Sequence, residues 1–150
     1  MRMANKRTIT IVIDDAVLER YDAHYFSIHT RAKKRPIAHP YHESINQWMI
    51  LRRQAMNALK QRWKDFIIWL VNDLGYAEMN IQRCTIKQSV WYQTNRRHNT
   101  DNCVPKFILD GLVEGGMIVD DDCTHIEELT LRCGVDKERS RTELKINIIN

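Results

Sequence analysis

Apolar and polar side chains recur along this chain with periods that mark out its elements. A short apolar run from Ile9 to Ile13 follows a basic stretch and precedes Asp14 and Asp15, which predicts a first strand over 8–13. Between 43 and 74 apolar positions fall at Trp48, Leu51, Ala55, Leu59, Trp63, Phe66, Leu70 and Leu74. That spacing lines up along one helix face, so a single long helix is predicted. Gly75 ends it, because glycine enters the left-handed conformation of a C-terminal cap without a side-chain clash. Arg52, Arg53, Lys60, Arg62 and Lys64 form its wet face.

Residues 79–92 are rich in β-branched and aromatic types, with Cys84, Ile86, Gln88 and Val90 on one side, and predict a strand. The polar run 93–100 reads as a loop. A short helix is expected over 102–114, with Val104, Phe107, Ile108 and Leu112 together on one side. Pro105 is tolerated there, since the first helical turn makes no use of its missing amide hydrogen. Gly115 and Gly116 stop the helix, and 117–119 is a short apolar segment cut off by Asp120, Asp121 and Asp122. Leu129, Leu131 and Cys133 then alternate with polar residues, 134–140 turns the chain, and Thr142, Leu144, Ile146 and Ile148 alternate again. The last pair reads as a hairpin. The expected architecture is α+β: a long helix and a short helix packed on a small mixed, mostly antiparallel sheet.

At 150 residues with 43% hydrophobic side chains, the chain supports one core and a single domain, residues 1–150. No apolar run approaches the ~20 residues a membrane-crossing helix needs, so no membrane association is expected. The N-terminal apolar run is too short for a signal peptide. Cys84, Cys103, Cys123 and Cys133 are scattered without a C-x-x-C pair, which fits reduced thiols and a cytoplasmic location. Cys103, Cys123, His98 and His125 match no common zinc spacing.

The net charge of +4 is unevenly spread, with Arg31, Lys33, Lys34 and Arg35 in one run and Arg96 and Arg97 in another. Such runs suit a polyanion, or are solvated surface. Acids gather at element ends: Asp101 before the short helix, and Asp120 to Asp122 after it. If a helix and a returning strand bring them together, they need a cation, because adjacent carboxylates raise one another's pKa. An oxygen-only set selects Mg²⁺ or Mn²⁺. Lys106 is the natural cation beside such a site, or else the partner of Asp110 one turn along the helix. Read locally, Asp101 is first of all a helix cap and the Asp120 to Asp122 run an acidic turn.

The stretch from Arg96, Arg97, His98, Asn99, Thr100, Asp101 and Asn102 through Lys106 and Asp110, then Gly116, Asp120 and Asp121, resembles the signature of the RusA-type Holliday-junction resolvases. That signature is Asp-x-Asp-Asn, a lysine, an aspartate within a helix, a glycine, and a paired Asp-Asp before a strand. It covers about a quarter of the chain, and the remainder agrees in the order of elements. The resemblance implies a metal-dependent endodeoxyribonuclease for four-way or other branched DNA, working as a homodimer. It implies that Asn99, Asp101, Asp120 and Asp121 hold Mg²⁺ or Mn²⁺, and that Asp101, Lys106, Asp120 and Asp121 carry catalysis. Arg96, Arg97 and His98, with Lys33, Lys34 and Arg35, are the expected DNA-binding residues. Asn99 stands in place of the first aspartate, and one extra residue separates Asp101 from Lys106. These departures leave open a second reading, a non-catalytic protein that binds branched DNA, and flaps, forks or RNA are further substrates of the same chemistry.

Overall fold

Alternation buries Ile9, Ile11 and Ile13 on one side of the first strand, β1 (Arg7–Asp14), in the computed structural model, which describes residues 7–149. A helix that the hydrophobic spacing does not announce follows at once, α1 (Asp15–Ile28). Asp14 starts it by accepting the Val17 N–H at 3.0 Å, satisfying one of the free donors of the first turn. Only Leu18 and Tyr21 of α1 are buried, so its apolar stripe is too narrow to stand out in the sequence.

The long helix expected over 43–74 is two elements, α2 (Ile45–Trp48) and α3 (Arg53–Asp73). A capping box between Ser44 and Gln47 begins α2. Trp48 turns onto Phe107, with ring centroids 5.2 Å apart, instead of continuing the stripe of α3. Met49 and Ile50 remain 64% and 83% exposed at the break, so no burial favours a continuous helix there.

The strand expected from 79 begins later, as β2 (Cys84–Tyr92). Asn80 lies at φ 45°, and Ile81 makes only an isolated parallel bridge to Ile118. The short helix expected over 102–114 is a 3-10 turn, Thr100–Cys103, followed by α4 (Lys106–Glu114), with extended backbone at Val104 between them. β3 (Ile126–Val135) and β4 (Arg141–Ile148) complete the chain.

The sheet has four strands in the order β1-β4-β2-β3. β4 pairs antiparallel with both β1 and β2, while β3 runs parallel to β2 at the sheet edge. The expected hairpin of β3 with β4 is therefore not formed; β2 lies between them. Burial explains the order. Leu144 and Ile146 of β4 and Cys84, Ile86 and Gln88 of β2 are essentially inaccessible, whereas most of β3 is partly or fully exposed, as an edge strand allows. A parallel pair needs a crossover connection, and α4 supplies it. The result is an α+β domain with a mixed sheet, covered on one face by helices.

Phe66, Ile67, Leu70 and Val71 of α3 pack with Ile108 and Leu112 of α4 over Ile11, Ile13, Ile86, Leu144 and Ile146 of the sheet. The two helices approach closely at Gly111. A β-carbon there would stand 2.5 Å from Ile67 Cβ, well inside contact distance. Gly111→Ala is accordingly expected to destabilise the fold by about 1–3 kcal/mol through overpacking. Urea unfolding midpoints of Gly111→Ala, alone and combined with Ile67→Ala, measure this, the second change easing the clash. An unchanged midpoint in the single variant would contradict the close approach.

Candidate functional site

The loop after β2 is fastened to that strand by several unrelated contacts. His98 lies flat on Tyr92, with ring centroids 3.6 Å apart and planes 5° from parallel. The Tyr92 hydroxyl and the Cys103 thiol are 3.2 Å apart, and Gln88 Nε2 donates to the Cys103 carbonyl at 2.6 Å. Cys103 Sγ in turn reaches the Asn99 carbonyl at 3.6 Å. Burial pushes the Cys103 thiol above its ordinary range, which suits a packing role. The turn that carries Asn99 and Asp101 is thus held against the end of β2, and Asp101 itself points to solvent.

Pro105 occupies the position before α4 and has no side-chain acceptor for the helix's free donors. A distant residue fills the role. His42, 5% exposed, accepts the Phe107 N–H on Nε2 at 3.0 Å, while its Nδ1 meets the Glu43 carbonyl at 2.6 Å. These partners require the neutral ring with its proton on Nδ1. Burial holds the His42 pKa below 6.5, against the opposing pull of the Glu43 carbonyl and the charges of Glu43 and Asp110. Lys106, exposed in the first turn of α4, approaches Asp110 at 3.7 Å. Lys60 approaches the same carboxylate from α3 at 3.9 Å. The ion pair anticipated for Lys106 is present, and it leaves the ammonium half in solvent.

Around this turn lie two polar cavities. One, of about 490 Å³, is lined by Arg97, His98, Asn99 and Asn102 with Ser44 and Asn46. The other, of about 470 Å³, holds Arg96 and His98 with His39, Tyr41 and Gln47. His98 and Tyr92 border both, so the stacked pair is a wall between them. The sequence points to Arg96, Arg97, His98 and Asn99 but not to the segment 39–47 opposite, whose only local signal is its density of histidine and tyrosine.

Lys33, Lys34 and Arg35 lie elsewhere, along a cavity of about 540 Å³ that also takes in Tyr25 and Arg62. Arg35 is engaged by Asp22 at 2.9 Å. Arg62, expected on the wet face of α3 or against phosphates, faces the same groove as the two lysines.

Asp120, Asp121 and Asp122 sit at the opposite end of the sheet from Asp101. Thr100 touches Cys133, which pairs with Val90 near the end of β2, whereas His125, just after the acidic run, accepts from the amide of Cys84 at its start. From Cys84 to Val90 the strand rises roughly 20 Å, at about 3.3 Å per residue. Convergence of Asp101 with Asp120 and Asp121 does not occur within one chain, because the parallel crossover carries the backbone down α4 before it reaches the second group. Among the described residues no three His, Cys, Asp or Glu side chains form a group able to hold a metal ion.

The second group is locally ordered. Asp120 Oδ1 accepts the Asp121 N–H at 2.7 Å. Asp122 Oδ1 takes the Thr124 and His125 amides, the Thr124 hydroxyl and His125 Nδ1 at 2.6 Å. These bonds, led by that of His125, hold its carboxyl down at about 2. Asp122 therefore shapes the turn into β3, leaving Asp121 and the second oxygen of Asp120 as the available ligands. No helix among the described residues is long and apolar enough to cross a membrane. Compared with protein-family models and with curated proteins, the chain matches none.

The His42 cap has a pH signature. In the unfolded chain this imidazole protonates near 6.5, while the folded chain resists the proton. Between those two pKa values the unfolded state binds more protons, so stability is lost as pH falls below 6.5. Urea midpoints from pH 7.5 to 5.5, read for wild type and His42→Gln, should show a steeper acid loss in wild type. Parallel curves would remove His42 as the cause.

Proposed function

We propose that this chain is a metal-dependent, structure-selective endodeoxyribonuclease of the RusA type, cytoplasmic and homodimeric, which nicks four-way or otherwise branched DNA. The observation that carries the reading is the exposed Asp101 on a turn fixed to β2, followed by the exposed Lys106 at the head of α4 and preceded by Arg96 and Arg97. The sequence spacing from Lys106 through Asp110 and Gly116 to Asp120 and Asp121 also follows the family signature.

The oxygen donors Asn99, Asp101, Asp120 and Asp121 suit Mg²⁺ or Mn²⁺ in kind. Their placement at two ends of the sheet does not complete a site in one copy. A two-fold dimer resolves this, since a symmetric interface that sets Asp101 of one copy beside Asp121 of the other does so twice. When bound, such an ion supplies Lewis acidity toward a phosphodiester. The chain's own residues do the rest. Arg96 and Arg97 hold backbone phosphates, Lys106 sits where a cation offsets charge growing on the phosphate, and the His98–Tyr92 stack keeps the loop in register.

The reading is tested by incubating the protein with labelled four-way junctions and Mg²⁺ or Mn²⁺. Paired nicks are expected, with Asp101→Asn and Asp121→Asn each lowering the rate on the order of 10²-fold or more. Mixing those two inactive variants is the sharper measurement. Shared sites reassemble one intact set per mixed dimer and restore nicking of single strands, whereas sites built within one chain gain nothing. Junction binding without nicking in either metal would favour the second reading, a branched-DNA-binding protein. The asparagine at 99 is the observation in its favour, since it removes one ligand charge.

A further inference from the structure

The helices cover one face of the sheet, and the register spells out the other. Across it, row by row in the order β1-β4-β2-β3, run Thr10, Lys145, Lys87 and Thr130, then Val12, Glu143, Ser89 and Arg132, then Asp14, Arg141, Trp91 and Gly134. Lys87 and Lys145 are direct cross-strand neighbours on the two central strands, and both are exposed. Like charges placed opposite one another destabilise a sheet, and among the described residues no acid forms an ion pair with either. Glu143, the nearest carboxylate in register, is held by Arg141 at 2.8 Å. Arg132 is also without an acidic partner among the described residues, and its guanidinium lies 5.0 Å from the Trp91 ring centroid. Trp91 in turn rests on Gly134, where a β-carbon would come within 2.7 Å of the ring. A shallow cavity of about 260 Å³ runs between these side chains.

We propose that this open face of the sheet is a second nucleic-acid surface, binding single-stranded DNA. Lys87, Lys145 and Arg132 neutralise successive phosphates, and the Trp91 ring, with the Arg132 and Arg141 guanidinium groups 5.0 and 5.3 Å from its centroid, receives a base. The occupant follows from complementarity. A polyanion relieves the repulsion between the paired lysines, and Arg guanidinium planes and aromatic rings accept any base in stacking. A second copy of the chain is disfavoured, because a symmetric contact would set lysines against lysines. A stiff duplex meets the face of a four-stranded, twisted sheet along one line only, whereas a single strand drapes across the rows. The choice of DNA over RNA rests on the nuclease reading above; the surface itself does not.

The test uses the full chain in metal-free buffer with labelled oligo(dT), titrated over a range of salt. Lys87→Gln combined with Lys145→Gln is expected to weaken binding about tenfold at low salt, and to reduce the salt slope by about 1.4, from ~0.7 per phosphate neutralised. The urea midpoint of this double variant should equal or exceed that of wild type, because a repulsive pair has gone. Trp91→Phe should abolish a tryptophan fluorescence change seen on oligo(dT) binding. Wild-type affinity and slope in the double variant would overturn the proposal. So would a change in the protein's sedimentation with DNA binding intact, which would make the face an interface between copies. Oligo(U) bound as tightly as oligo(dT) would overturn the assignment to DNA. Failure of junction nicking would sink the nuclease reading alone, since these titrations contain no metal.

Discussion

Parallel pairing of β2 with β3 is the constraint on which the rest of this structure depends. Two strands that run the same way cannot be joined by a turn, so the chain must travel back along their length before the second begins. Here α4 makes that return, and it has to lie against the sheet to do so. Everything placed between the two strands is thereby sorted to one end or the other. The turn with Asn99 and Asp101, and Lys106 at the head of α4, stay where β2 finishes; Asp120 to Asp122 are delivered to where β3 starts.

Two local devices make the return possible. Gly111 lets α4 settle onto α3 too closely at Ile67 for any β-carbon, and Ile108 and Leu112 join the common core. His42 supplies from outside the acceptor that Pro105 cannot offer, and fixes the first turn of α4 to the segment before α2. The latter bond crosses 65 residues. It anchors the turn that begins with Lys106 to an imidazole buried beside Trp63, at a ring-centroid distance of 5.5 Å.

Much of this fold is written in short-range periods, and those parts are legible. Alternation locates β1, β2 and β4, and three-to-four spacing locates α3 and α4. α1 escapes because Glu19, Arg20 and Asp22 interrupt a stripe that buries only Leu18 and Tyr21. The strand order escapes for a different reason. Alternation tells which side of a strand is buried and is silent on its neighbour, so β3 and β4, separated by a short turn, look like a hairpin. At the candidate site the local spacing of Asp101 and Lys106 can be read directly, although Asp101 sits on the 3-10 turn and Lys106 on α4, with extended backbone at Val104 between them. Their distance from Asp121 cannot, because it depends on strand direction, and the His42 cap cannot either, because its two halves are remote in sequence.

The sorting of acids to opposite ends of one strand changes what a solitary molecule is able to do. On the proposed reading, a monomer carries two half-sets of ligands and no complete one, so hydrolytic capacity rises with the square of protein concentration when dimers are scarce. A freshly made or diluted chain would be harmless to the duplexes around it. Both catalytic centres would come into being in the same event, already related by the two-fold axis that a four-armed substrate also possesses.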